Sequence, residues 1–164
     1  MRQGHHVDQV QIWLDWAVDI ATANVARDGG PFGALVVRDG VVLGEGANRV
    51  TADLDPTAHA EVVAIRAACH RVGNFHLGGA TLYASCEPCP LCLSAALWAR
   101  VDGIVFAADS HAAARAGFDD DNFRKLFYPA TATQHWPMRL EHHPTPRSED
   151  AFDAWRALAD RVAY

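Results

Sequence analysis

An α/β fold with a mixed sheet covered by helices on both faces is predicted by three observations. Apolar residues at Val10, Trp13, Leu14, Ala17, Val18, Ala21 and Val25 follow the i, i+3, i+4 spacing of one helical face. Asp39-Gly40 sits between two short apolar runs, the strongest local signal for a tight hairpin. From Pro56 to Ala108 helix-like and strand-like segments then alternate, which places helices on the faces of a sheet.

Taken in order, the first helix spans Val7 to about Arg27 and is broken by Gly29-Gly30-Pro31-Phe32-Gly33. Ala34–Arg38 and Val41–Glu45 form the hairpin strands. Asp55-Pro56-Thr57 reads as a helix start, with Asp as cap and Pro at the first helical position, and the helix runs to Val72, closed by Gly73. Thr81–Ser85 is a buried strand, Cys89–Arg100 a helix opened by Pro88 and Pro90, and Ile104–Ala108 another strand. A short helix near His111–Ala116, a segment near Asn122–Phe127 and an edge strand at Met138–His142 follow. Phe152, Trp155, Ala159 and Val162 mark a final amphipathic helix.

The 164 residues, 50% hydrophobic, read as a single domain over 1–164, with 148–164 as a helical tail. No apolar run approaches a membrane span, and Met1-Arg2-Gln3-Gly4-His5-His6 lacks a signal peptide's apolar stretch, so the chain reads as cytoplasmic. A net charge of −6 with no basic stripe argues against a nucleic-acid partner and for a small, weakly charged substrate. Three of the four cysteines crowd into residues 86–92, which suits metal ligation in a reducing compartment better than a disulfide framework. Cys69 falls in an apolar helix pattern and reads as a core residue.

The chemistry is carried by His59-Ala60-Glu61 and Pro88-Cys89-Pro90-Leu91-Cys92. One imidazole and two thiolates can hold zinc and leave a fourth position for water, the arrangement of a catalytic site. Glu61 needs no place in that shell and is free to move protons. On the flank of a helix His59 and Glu61 would point about 200° apart; at a helix end facing the site they can converge. Cys86 offers a rival register, because Cys86-x-x-Cys89 has the same spacing as Cys89-x-x-Cys92, and a closed Cys₃His structural site is the alternative.

His-x-Glu followed by Pro-Cys-x-x-Cys is the signature of zinc-dependent nucleobase deaminases, and the chain resembles the cytidine deaminase superfamily at these residues. Gly29–Ala34, Asn48, Asp55–Glu61, Ser85–Cys92, Ala116-Gly117-Phe118-Asp119-Asp120 and the tail Trp155–Tyr164 resemble the bacterial guanine deaminase branch, so the likeness covers nearly the whole chain. The resemblance implies a five-stranded mixed sheet in a three-layer α/β/α sandwich, a zinc cofactor and a homodimer in which the tail is exchanged between subunits. It implies hydrolytic deamination of guanine to xanthine and ammonia, with Glu61 shuttling protons and Asp120 as a second carboxylate near the departing amine.

By the same resemblance, Asn48 hydrogen-bonds the base, Phe32 and Trp98 wall a flat purine, Ala60 completes the substrate contacts, and Tyr164 lies over the active site. Guanosine is the alternative substrate. Cytosine or cytidine stands further off because of the likeness to the guanine deaminase branch, and a tRNA adenosine because the tail sets only Arg156 and Arg161 against Glu149, Asp150, Asp153 and Asp160. A non-catalytic zinc-stabilised binding domain would have no need of Glu61.

Overall fold

A computed structural model of the chain describes residues 8–118, 121–127 and 138–159. Its centre is a five-stranded sheet of β1 (Gly33–Arg38), β2 (Val41–Ala47), β3 (Thr81–Cys86), β4 (Gly103–Ala108) and β5 (Arg139–His142) in the order β2-β1-β3-β4-β5. β1 is antiparallel to β2 and β3, whereas β3, β4 and β5 run parallel. The expected mixed sheet is therefore present, with β5 at its edge.

Side-chain alternation builds the layers. Ala34 and Val36 of β1 face one side with Leu82, Ala84, Ile104 and Phe106, where α3 (Ala60–Val72) and α4 (Pro90–Ala99) close the main core. Leu35 and Val37 face the other side and meet Ala17 of α1 (Gln9–Val25), while Leu14 and Val18 meet Val105 and Ala107. Every residue of β4 is buried, as a central parallel strand covered on both faces requires.

The local signals act largely as expected. Asp8 caps α1 by accepting from Val10 N at 3.0 Å. Asp39 (φ 52°) and Gly40 (φ 72°) both take the left-handed backbone of a type I′ hairpin. Gly73 closes α3 at φ 66°. Gly46 of β2 has a different duty, since a Cβ there would stand 2.1 Å from the Ala60 carbonyl oxygen. The bare backbone of β2 lets the first turn of α3 lie directly on the sheet.

Two boundaries differ from expectation. The helix forecast from Pro56 begins only at Ala60, because Asp55 spends its carboxylate on a local turn, accepting from Thr57 N at 2.8 Å and Thr57 Oγ1 at 2.7 Å. A short helix, α2 (Val50–Asp53), precedes that turn and ends at Leu54 in the left-handed region. The final helix, α7 (Asp150–Ala157), ends where Leu158 turns extended. Ala159 is thus outside the helix and exposed, Val162 lies outside the described residues, and the buried stripe is Ala151, Phe152 and Trp155. α5 (Ser110–Arg115) and α6 (Asp121–Phe127) lie near the expected positions.

Candidate active site

The site forms where two helices begin. His59 is the N-cap of α3 and Cys89 the N-cap of α4, both with extended backbone, and Glu61 and Cys92 lie within the first turns. Helix N-termini carry partial positive charge and unpaired N–H groups, which favour thiolates and other anions placed against them. Pro90 at the opening of α4 starts that helix without wasting a donor.

His59 Nδ1 lies 3.5 Å from the Sγ of Cys89 and 3.5 Å from that of Cys92, and the two sulfurs are 3.6 Å apart. Zinc bound tetrahedrally, with sulfur at about 2.3 Å and nitrogen at about 2.0–2.1 Å, would hold sulfurs about 3.8 Å apart and sulfur and nitrogen about 3.6 Å apart. The triangle therefore has the edges that zinc demands, and the donor set has the softness zinc prefers. Among the described residues this is the one His/Cys/Asp/Glu cluster with ligand atoms converging in this way.

Cys86 stands apart from it. Its thiol is directed to the Asp109 carbonyl at 3.6 Å, and the side chain is buried with Ala108, Ala112 and Phe152. The closed Cys₃His alternative has no support in this geometry.

The titration of the cluster follows from its packing. A hydrogen bond shared with Cys92 holds the Cys89 thiol down at about 4, against the opposing effect of burial, and His59 lowers it further. The same sharing, followed by burial, pushes Cys92 well above the ordinary thiol range. Two sulfurs that share one proton are where a divalent cation would displace that proton. Glu61 is only 8% exposed, and burial followed by the Cys89 thiolate raises its carboxyl to about 7. A carboxyl poised near neutrality can take and return a proton.

Glu61, His59 and Cys89 open onto a cavity of about 910 Å³. Phe32 walls it together with Phe118, the rings meeting edge to face with centroids 4.8 Å apart, and Phe152 braces Phe32 from behind at 5.6 Å. Asn48 also lines the cavity and is 3% exposed. Its backbone N–H donates to the Phe32 carbonyl, its own carbonyl accepts from Asn24 Nδ2 at 2.7 Å, and its Oδ1 accepts from Val50 N at 3.3 Å. The backbone of Asn48 is thus held on both sides, and its side-chain amide is oriented through Oδ1.

Other expected residues are elsewhere. Trp98 does not line the cavity; it projects from α4 and is 77% exposed, because Cys92, Leu93, Ala96 and Ala99 take the buried positions of that helix and Leu91, Ser94 and Leu97 its cavity side. The Ala60 side chain is buried in the main core, which leaves only its backbone at the helix opening to face a ligand. Asp120, Asp119 and Tyr164 lie outside the described residues. The motif reading assigned no role to Glu87, whose carboxylate lines the cavity and pairs with Arg124 at 2.6 Å. Phe123 and Phe127 of α6, to which no motif points, also line the cavity. Glu87 lay inside a quoted motif, but its partner is 37 positions away and no local pattern joins the two.

The protein class follows from this site and from comparison with known proteins. Residues 7–108, which contain all four clustered side chains, match the model of the cytidine and deoxycytidylate deaminase zinc-binding region, and the chain belongs to that family. Within it, the chain is 44% identical over 158 residues to the guanine deaminase of Bacillus subtilis (strain 168), covering 94% of this chain and 98% of that protein. The X-ray structure of the Bacillus subtilis enzyme superposes with a TM-score of 0.69 over 94% of this chain and 98% of that one. A guanine deaminase from Nitrosomonas europaea superposes at 0.78 with 25% identity, over 89% of this chain and 84% of that one.

Proposed function

We infer that this protein is a zinc-dependent aminohydrolase that converts guanine to xanthine and ammonia. The observation that carries the inference is the His59–Cys89–Cys92 triangle beside buried Glu61, at the floor of a cavity walled by Phe32 and Phe118. The guanine deaminase of Bacillus subtilis, similar over nearly its whole length, supports the choice of base.

His59, Cys89 and Cys92 would hold the zinc, which acts as a Lewis acid that makes a water nucleophilic at neutral pH. The remaining work falls to the chain's own groups. Asn48 would fix the purine edge through its amide, which presents both donor and acceptor. Phe32 and Phe118, packed edge to face on each other, would form one aromatic wall against the ring and keep bulk water out. Glu61 would take a proton from the attacking water and pass it to the ring nitrogen beside C2, then take the remaining proton of the added hydroxyl and hand it to the amine as the C2–N bond breaks and the carbonyl forms. Asp120 would assist that departure and Tyr164 would close the site against a ribose.

The enzyme would work as a cytoplasmic homodimer, with residues 148–164 exchanged between subunits. Four free cysteines suit a reducing compartment, and Leu91 and Trp98 offer apolar area on α4 for a second subunit. Ammonia release by zinc-loaded protein against guanine, guanosine, cytosine, cytidine and adenine tests the reading. Guanine is expected to be turned over fastest; preference for guanosine would move the assignment to a nucleoside deaminase, and inactivity on all five would reject it. Sedimentation at micromolar concentration tests the dimer.

A further inference from the structure

The zinc-ligand loop is gripped from outside by a residue that no motif announces. Arg124, on α6, donates through Nη1 to Glu87 Oε1 at 2.6 Å and through Nη2 to the backbone carbonyls of Pro88 at 2.7 Å and Glu87 at 3.3 Å. The pair is well covered, with the two side chains 16% and 21% exposed. The other Glu87 oxygen accepts from Ser110 N at 2.9 Å, at the opening of α5. One guanidinium and one carboxylate thus tie α5 and α6 to the two residues that precede Cys89.

The Pro88 carbonyl belongs to the same rigid peptide plane as the Cys89 N–H. Fixing that carbonyl fixes the plane and the N–Cα bond of Cys89, so that only rotation about φ, held at −73° where α4 opens, remains to place its Cβ. Cys89 has no side-chain cap hydrogen bond of its own, and Pro88 has no N–H by which the strand could hold it. The planar fork of arginine suits a task that joins one carboxylate to two carbonyls, whereas a lysine supplies only a point charge.

We propose that Arg124 is a positioning residue that sets the Cys89 sulfur at its place in the zinc triangle by holding Glu87 and the Pro88 carbonyl. The proposal rests on the reading of His59, Cys89 and Cys92 as the zinc ligands. Residues that orient metal ligands from behind typically change metal affinity or activity by about 10–100-fold when removed.

The test measures zinc release from the full-length, zinc-loaded protein to a chromogenic chelator. Arg124→Ala should release zinc about 10–100-fold faster than the wild type. Guanidinium ion, well below denaturing concentration, should slow that release again by refilling the vacated fork. Release within about twofold of wild type by a folded Arg124→Ala protein overturns the proposal. Faster release that guanidinium leaves unchanged reflects general loosening and overturns it as well. Should Arg124→Ala not fold, Arg124→Lys keeps the charge beside Glu87 but lacks the fork; it should release zinc several-fold faster than the wild type, and wild-type release by this variant would refute the grip. Wild-type protein that binds no stoichiometric zinc would instead fail the ligand assignment itself, and the proposal with it.

Discussion

At the scale of single residues, Glu61 and the cysteines divide chemistry from packing. Glu61 sits beside the metal triangle with a carboxyl raised to about 7 by burial, yet it is outside the cluster of converging ligand atoms. Glu61→Gln keeps the volume and a hydrogen-bonding group but removes the proton carrier. Turnover should fall by at least about 10²–10⁴-fold, the usual worth of general acid–base transfer, while one zinc per chain stays bound. Ammonia release together with metal analysis reads both quantities. Cys86 makes the complementary case, because its thiol is directed to the Asp109 carbonyl instead of the triangle. Cys86→Ala should therefore retain stoichiometric zinc by metal analysis, and loss of the metal would restore the closed Cys₃His alternative.

At the scale of elements, the site depends on how closely α3 lies on the hairpin. His59 caps that helix and Glu61 falls in its first turn, so any lift of α3 from β2 moves both. Gly46 makes the approach possible, since an added methyl would meet the Ala60 carbonyl oxygen at 2.1 Å and Ala64 N at 2.5 Å, atoms of backbone that cannot rotate away. Gly46→Ala should destabilise the fold by about 1–3 kcal/mol, the range of overpacked core positions, and should weaken zinc binding at the same time. Urea denaturation and chelator competition measure the two effects. α4 contributes differently: its opening is held by Pro90, and Cys89 and Cys92 follow from helical spacing once that start is set.

At the scale of the whole molecule, α7 braces the cavity wall from behind. Phe152 and Trp155 of α7 pack on Phe118, with ring centroids 6.5 and 5.4 Å away, and Phe152 also braces Phe32. Phe32 and Phe118 line the cavity, so α7 packs against the back of the proposed substrate site. Deleting Ala163-Tyr164 should cut guanine turnover at least tenfold (about 1.4 kcal/mol in the barrier), relax the exclusion of guanosine, and leave the melting temperature and zinc content nearly unchanged. Steady-state rates on the base and the nucleoside provide the check; an unchanged ratio would take substrate choice away from the tail.

The sequence by itself pointed to the candidate ligand triad and the proposed proton carrier, and it determined the hairpin and, α2 apart, the order of helices and strands. Each of these rests on short-range rules: metal chemistry limited to a few residue types, left-handed backbone at Asp39-Gly40, and periods of 3.6 or 2 in apolar side chains. Tertiary structure alone decided where α3 starts, because Asp55 had two local hydrogen-bonding options and the turn through Thr57 prevailed. It decided that Trp98 faces outward from α4, since a nearly all-apolar helix has no periodicity by which to choose its buried side. It also decided the Arg124–Glu87 grip on the zinc loop, a contact between residues 37 positions apart. Such a pairing exists only once α6 has packed beside α4, and no local pattern in the chain encodes the distance between them.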